Sequence, residues 1–174
     1  MVETVSYSVI KKIDSVELRR YPELLLAVVE KNDDDSAFSL LFRYITGENT
    51  TRHRIPMTAP VITSEKIPMI APVITHEHYM AFILPSSYKK ETVPVPTNQF
   101  VRINVQPEQT IAVLRFSGRT SDTKDQKYVQ NLLTVLKKHS IKVKGQPVLM
   151  RYNSPFTPGF LRRNEVAVEI LSSK

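Results

Sequence analysis

Val16-Glu-Leu-Arg-Arg-Tyr-Pro-Glu-Leu-Leu-Leu-Ala-Val-Val29 has a second version 85 residues further on, Val101-Arg-Ile-Asn-Val-Gln-Pro-Glu-Gln-Thr-Ile-Ala-Val-Leu114. Val16-x-Leu18 matches Val101-x-Ile103, Pro22-Glu23 matches Pro107-Glu108, and Leu26-Ala27-Val28-Val29 matches Ile111-Ala112-Val113-Leu114. A single offset carries all of these matches, which is the mark of two copies of one supersecondary unit. In each copy an alternating run reaches a Pro-Glu corner and continues into an apolar run too short for a helix, so both runs read as strands.

Each copy then predicts a helix. After the first, Asp33-Asp34-Asp35-Ser36 supplies capping side chains and negative charge at a helix start. Phe38, Leu41, Phe42 and Ile45 follow at helical spacing, and Gly47 closes the helix. After the second, Ser121 or Asp122 caps a helix carrying Val129, Leu132, Leu133 and Leu136, with Lys137 and Lys138 in its last turn. Further strands are predicted over 7–13, 79–84, 148–152 and 165–171. Neither copy buries its apolar face alone. The expected fold is therefore α+β, a duplicated strand–helix–strands unit with pseudo-twofold symmetry, its strands forming a distorted β-barrel flanked by two α-helices. We expect one domain over 1–174, with halves at approximately 1–90 and 97–174.

A local repeat lies between the helices. Arg54-Ile-Pro-Met-Thr-Ala-Pro-Val-Ile-Thr63 is echoed by Lys66-Ile-Pro-Met-Ile-Ala-Pro-Val-Ile-Thr75. Prolines four residues apart exclude a helix interior, and Val-Ile-Thr favours strand. The units read either as edge strands lending Met57 and Met69 to a core, or as one wall of an apolar pocket.

Composition narrows the function. The 174 residues are 41% apolar and 24% charged, as in soluble globular proteins. No apolar run approaches the ~20 residues that cross a bilayer, and the N-terminal residues lack signal-peptide character. Cysteine is absent, which removes disulfides, thiol nucleophiles and thiolate metal sites. These features point to the cytoplasm and to no membrane partner. The formal charge is +7, but Lys and Arg are scattered and no stretch resembles a nucleic-acid arm.

Candidate chemistry is sparse. His76 and His78 are spaced to share one face of a strand, but no third metal ligand accompanies them, and an exposed His-x-His at a hairpin is the plainer reading. No Gly-x-Ser-x-Gly elbow is present, and the four glycines build no phosphate loop. We expect no catalytic constellation and no metal site. Aromatic residues are more informative. Phe38 and Phe42 lie one helical turn apart with Arg43 beside them, and Leu40 and Tyr44 widen the apolar stripe beyond what packing on a sheet requires. Phe156 and Phe160 sit in a Pro-rich loop, where turn chemistry does not call for them.

Six motifs together resemble the SOUL/heme-binding-protein family over nearly the whole chain. They are Tyr44-Ile-x-Gly-x-Asn49, Arg54-Ile-x-Met-Thr-Ala-Pro-Val61, Met80-x-Phe-x-Leu-Pro85, Phe116-x-Gly118, Tyr152-Asn-Ser-Pro155 and Arg162-Arg-Asn-Glu-Val166. The resemblance implies the duplicated fold above. It also implies reversible binding of heme or another tetrapyrrole in an apolar cleft between the first helix and the loop joining the last strands. Carried over by position, Phe38, Phe42 and the adjoining Ile45 line the helix side, Arg43 meets a propionate, Phe156 and Phe160 close the loop side, and Met57 or Met69 is a remote candidate for the iron. Some relatives carry a His before the tyrosine of the second strand as an axial ligand; Arg20 stands there in this chain. The expected protein is a monomeric tetrapyrrole carrier or buffer and not an enzyme. The alternative is an effector-binding or protein-interaction module resembling the effector domains of multidrug regulators and gyrase-inhibitory proteins, in which a cleft carboxylate meets cationic drugs.

Overall fold

The computed structural model describes residues 3–30, 33–64, 78–153 and 156–172. The second unit of the Pro/Met repeat, with Met69 and His76, lies outside them. Among the described residues, ten strands and two α-helices follow one another as β1 (Glu3–Thr4), β2 (Ser8–Ile13), β3 (Val16–Tyr21), β4 (Leu24–Val29), α1 (Asp34–Ile45), β5 (Thr58–Ser64), β6 (Met80–Ile83), β7 (Arg102–Gln106), β8 (Gln109–Ser117), α2 (Asp122–Lys138), β9 (Val148–Arg151) and β10 (Arg163–Glu169). They build one sheet in the order β2-β3-β8-β10-β9-β5-β6-β4-β7, with β1 beside β5. All pairings are antiparallel except that of β1.

The duplication is visible in the hydrogen-bond register. Tyr21 lies opposite Gln109 in the β3–β8 ladder, and Leu24 lies opposite Gln106 in the β4–β7 ladder. These are the same pair once the 85-residue offset is applied. The β5–β9 ladder is symmetric about the Thr63↔Leu149 pair, so the pseudo-twofold axis passes there. The edge strand of each copy is exchanged: β3 pairs with β8 of the other copy, and β7 with β4.

Both helices lie on one face of the sheet, α1 over β4 and β6, α2 over β8 and β10. Strand alternation divides the core accordingly. On β4, Leu25, Ala27 and Val29 face α1, while Leu24, Leu26 and Val28 face the other way. On β8, Ala112, Leu114 and Phe116 face α2, while Ile111 and Val113 face the other way. The helix-free face is nonetheless buried, so the sheet must curl around it. The curl stops short of the expected barrel. Strands β2 and β7 end the order without pairing to each other, and their residues are mostly exposed. A second expectation also changes. Strand β5 is flanked by β9 and β6 and is not an edge. Its Pro60 is accommodated where the register to β6 shifts between Thr58 and Val61, a place where a missing N–H costs no ladder bond. Among the described residues no helix is long and apolar enough to cross a membrane.

Candidate functional site

Helix α1 starts where the acidic run predicts. The Asp33 carboxylate accepts the Asp35 N–H at 3.1 Å and the Ser36 hydroxyl at 2.6 Å. The core face is Ala37, Leu41, Tyr44 and Ile45. Tyr44, expected on the outer flank, is 1% exposed. Its hydroxyl donates to the Pro94 carbonyl at 2.6 Å, which removes the polar cost of burying it. Burial, reinforced by nearby Tyr88, pushes its phenol well above the ordinary range and keeps it a donor. The Tyr44-Ile-x-Gly-x-Asn49 motif is thus a helix stop. Gly47 takes φ +125°, which only glycine adopts cheaply. The Asn49 amide donates to the Tyr44 and His53 carbonyls at 3.1 and 2.8 Å, and its oxygen accepts the His53 N–H at 3.0 Å.

With the core face filled by other residues, Phe38 and Phe42 turn outward, 40% and 46% exposed. Their rings stack with centroids 6.1 Å apart, and Phe38 leans edge-on against buried Phe82 of β6 at 5.3 Å. The pair is therefore a fixed apolar platform. Arg43 is largely exposed and holds Glu48 at 2.7 Å. Such a surface pair is worth about 0–1 kcal/mol, so a ligand carboxylate can replace Glu48 at little cost. Ile45 is 3% exposed and backs the helix from inside, and Met57 is half-buried against the same core. Arg20, at the axial-ligand position of some relatives, is half-exposed and faces Glu108 at 3.6 Å.

The loop between β9 and β10 is held at several points. Arg163 N–H donates to the Asn153 side chain at 2.6 Å, Arg162 Nε to the Thr157 carbonyl at 2.8 Å, and Gly118 N–H to the Gly159 carbonyl at 2.9 Å. A 3-10 turn spans Gly159–Leu161. Phe156 and Phe160 stand out at 94% and 79% exposure. The structure thus joins Phe38 to Phe42 on α1 with Arg43 beside them, while Phe156 and Phe160 each stand exposed on a loop anchored to β8 and β10. Ile45 and Met57 sit behind the helix.

A charged cluster on the helix-free face was not legible as a site. Glu165 is wholly buried and receives Arg19 Nη1 at 2.9 Å, Arg19 Nη2 at 2.7 Å, the Tyr152 hydroxyl at 2.6 Å and Arg163 Nη2 at 3.1 Å. The guanidinium groups of Arg19 and Arg163 lie 4.1 Å over the rings of Tyr7 and Tyr152 respectively. Burial by itself would raise the Glu165 carboxyl, but the hydrogen bonds from Arg19 and Tyr152 and the two guanidinium charges outweigh it and hold it below the usual carboxylate range. No local signal marks the pair: Arg19 stands between Leu18 and Arg20, and Glu165 between Asn164 and Val166. Among the described residues, no group of three or more His, Cys, Asp or Glu side chains is arranged to hold a metal. His78 instead pairs with Asp34 at 2.7 Å.

Comparison with known proteins agrees with the motifs. The family described as SOUL heme-binding protein matches residues 2–169. Heme-binding protein 2 of Mus musculus is 30% identical over 170 residues, covering 89% of this chain and 82% of its own. Heme-binding protein 2 of Homo sapiens is 33% identical over 149 residues, covering 81% and 71%. Among solved structures, the C-terminal domain of EcmrR superposes with a TM-score of 0.65 at 8% identity, over 96% of this chain and 99% of that one. A hydrolase from Listeria innocua gives 0.58 at 9% identity, over 93% and 94%. At such identities these two likenesses are of fold alone.

Proposed function

Because the chain belongs to the SOUL heme-binding protein family, we propose that it binds heme or another tetrapyrrole reversibly on the outer flank of α1. Phe38 and Phe42 offer the flat apolar face against which a porphyrin packs. Arg43 exchanges Glu48 for a propionate. Phe156 and Phe160 fold over the opposite face of the ligand, and Met57 lies behind the platform. Bound iron would supply the visible spectrum and any redox chemistry; the chain's own part is packing and charge. The observation that carries this reading is the stacked Phe38–Phe42 pair, left outside on a helix whose core face is already complete. An apolar pair left this exposed on an outer helix flank marks a contact surface.

The test is titration of the intact protein with hemin, followed at the Soret band. A saturable shift is expected, and Phe42→Ala should weaken binding by about 1–3 kcal/mol, the scale of one large apolar contact. A Soret band unmoved at micromolar hemin refutes the proposal. The alternative, a module for cationic effectors, shares the fold of the EcmrR domain but needs an uncommitted carboxylate. Glu165, the buried carboxylate on the helix-free face, is committed to Arg19, Arg163 and Tyr152. We favour the anionic tetrapyrrole for that reason.

A further inference from the structure

A groove of about 470 Å³ lies beyond the C-terminal end of α2, on the half of the sheet that α1 does not cover. It falls within the usual size range of small-molecule sites. Its floor is Leu18 of β3 with Ile141 and Ile170, which pack against the core under α2. Its flanks are open: Ile10 and Leu171 line it at 49% and 48% exposure, so a ligand can reach both. The β2–β3 ladder shifts register between Val9 and Lys11. Ile10 sits at that irregularity, where a strand can re-aim a side chain. On the opposite wall two segments are tied together. Leu171 N–H donates to the Lys142 carbonyl at 2.9 Å, and Val143 pairs with Ile170 in an isolated bridge. The His139 ring meets Asp14 at 3.2 Å and so closes the groove at the β2–β3 turn.

The charge of the lining is one-sided. Its ionisable side chains are Arg20, His139 and Lys142, all basic, and among the described residues no carboxylate lines it. The nearby carboxylates are engaged, Asp14 with His139 and Glu108 with Arg20 at 3.6 Å. Lys142 is exposed and makes no ion pair among the described residues. Lys137 and Lys138, in the last turn of α2, offset the partial negative charge that a helix end presents. Aliphatic flanks beside a basic rim fit an anion with a hydrocarbon tail. A cation of the same shape meets repulsion there, and a neutral chain gains nothing from the rim.

We propose that this groove is a second binding site, for a fatty-acid anion: a monocarboxylate with an unbranched hydrocarbon tail. The tail lies along Ile10, Leu18 and Leu171. The carboxylate meets Lys142, and Arg20 can turn to it from an exposed, weak pair with Glu108.

The probe is decanoate, titrated below its micelle concentration into the isotopically labelled full chain and followed by amide shifts. Saturable shifts centred on 8–11, 18–20, 139–143 and 170–172 are expected, with decanol binding more weakly and decylammonium most weakly. Octanoate should bind about fourfold more weakly than decanoate, because an open groove covers about half of each added methylene. Lys142→Glu should weaken decanoate about tenfold and leave decanol unchanged. Ile10→Ser should weaken both about threefold. Both side chains are exposed, so both variants should keep the fold. Hemin titrations should be the same in both, which separates this groove from the flank of α1. Shifts centred on α1, absence of saturation, equal affinity for decanoate and decylammonium, or undiminished decanoate affinity in Lys142→Glu would each overturn the proposal. So would displacement of decanoate by hemin, or a response to phosphatidylglycerol vesicles and none to monomeric decanoate.

Discussion

Arg19 and Glu165 meet in a two-pronged ion pair across the helix-free face, Nη1 to Oε1 at 2.9 Å and Nη2 to Oε2 at 2.7 Å, with exposures of 3% and 0%. They stand 146 residues apart in the chain, on strands β3 and β10 that are separated by β8. The pair therefore spans the interlock between the two copies, and Tyr7 ties the N-terminal segment into it.

Breaking one side of this pair strands a charge in a dry place. Glu165→Gln keeps the shape and leaves Arg19 without its counter-ion; a loss of about 3–5 kcal/mol in urea denaturation is expected. Replacing both residues together, as Arg19→Met with Glu165→Leu, should cost much less, because the desolvation of both ions disappears with them. A double variant as unstable as Glu165→Gln would show that the pair is not the main term.

The same carboxylate sets the acid limit of the fold. Its value in the folded protein is held below that of the unfolded chain. The stability it contributes is therefore fully present above the unfolded value near 4.5 and is lost as pH falls through the depressed folded value. Stability measured by denaturation should fall steeply below about pH 4.5. In Glu165→Gln this part of the slope should vanish.

Asp125 runs in the opposite sense. It sits 5% exposed in the first turn of α2, with one carboxylate oxygen unpartnered. Burial pushes it up to about 6, against the pull of Arg151. A carboxyl raised in this way stabilises the fold only while protonated, so its contribution disappears as pH rises from about 4 to 6. Aligning the caps Asp33 and Ser121 places Asp125 where α1 has buried Ala37. Asp125→Ala should therefore stabilise the protein by about 1–3 kcal/mol at pH 7, with the gain gone below pH 4. Thermal melts at the two pH values decide it, and a destabilised variant at pH 7 would count against the account.

Arg43 gives the sharpest test of the tetrapyrrole site. Arg43→Glu should weaken hemin more than its dimethyl ester, which lacks the propionate charges. Glu48→Gln should tighten hemin modestly, because it releases Arg43 from the pair at 2.7 Å. Equal losses for acid and ester would remove Arg43 from the binding scheme.

Much of this molecule can be read from its letters, and the exceptions have identifiable causes. The 85-residue offset foretold a symmetric register, and the Asp33 and Ser121 caps opened helices where expected. The facing of α1 was harder. Phe38-Leu41-Phe42-Ile45 and Ala37-Leu41-Tyr44-Ile45 both fit helical spacing. The choice between them rests on the Pro94 carbonyl that receives Tyr44, fifty residues away. Closure of the sheet was equally hidden, since it depends on whether β2 and β7 meet. The Arg19–Glu165 pair depends on contact between segments 146 residues apart, which no local pattern announces.

Joining two copies in one polypeptide has a consequence for stoichiometry. In a dimer of identical chains, whatever one helix presents the other must present too. Here the copies have been free to drift: with the helix caps aligned, Gln126 and Gln130 of α2 stand where α1 shows Phe38 and Phe42. The aromatic shelf exists once in a body of twofold ancestry, so the tetrapyrrole proposed for α1 has one seat per molecule.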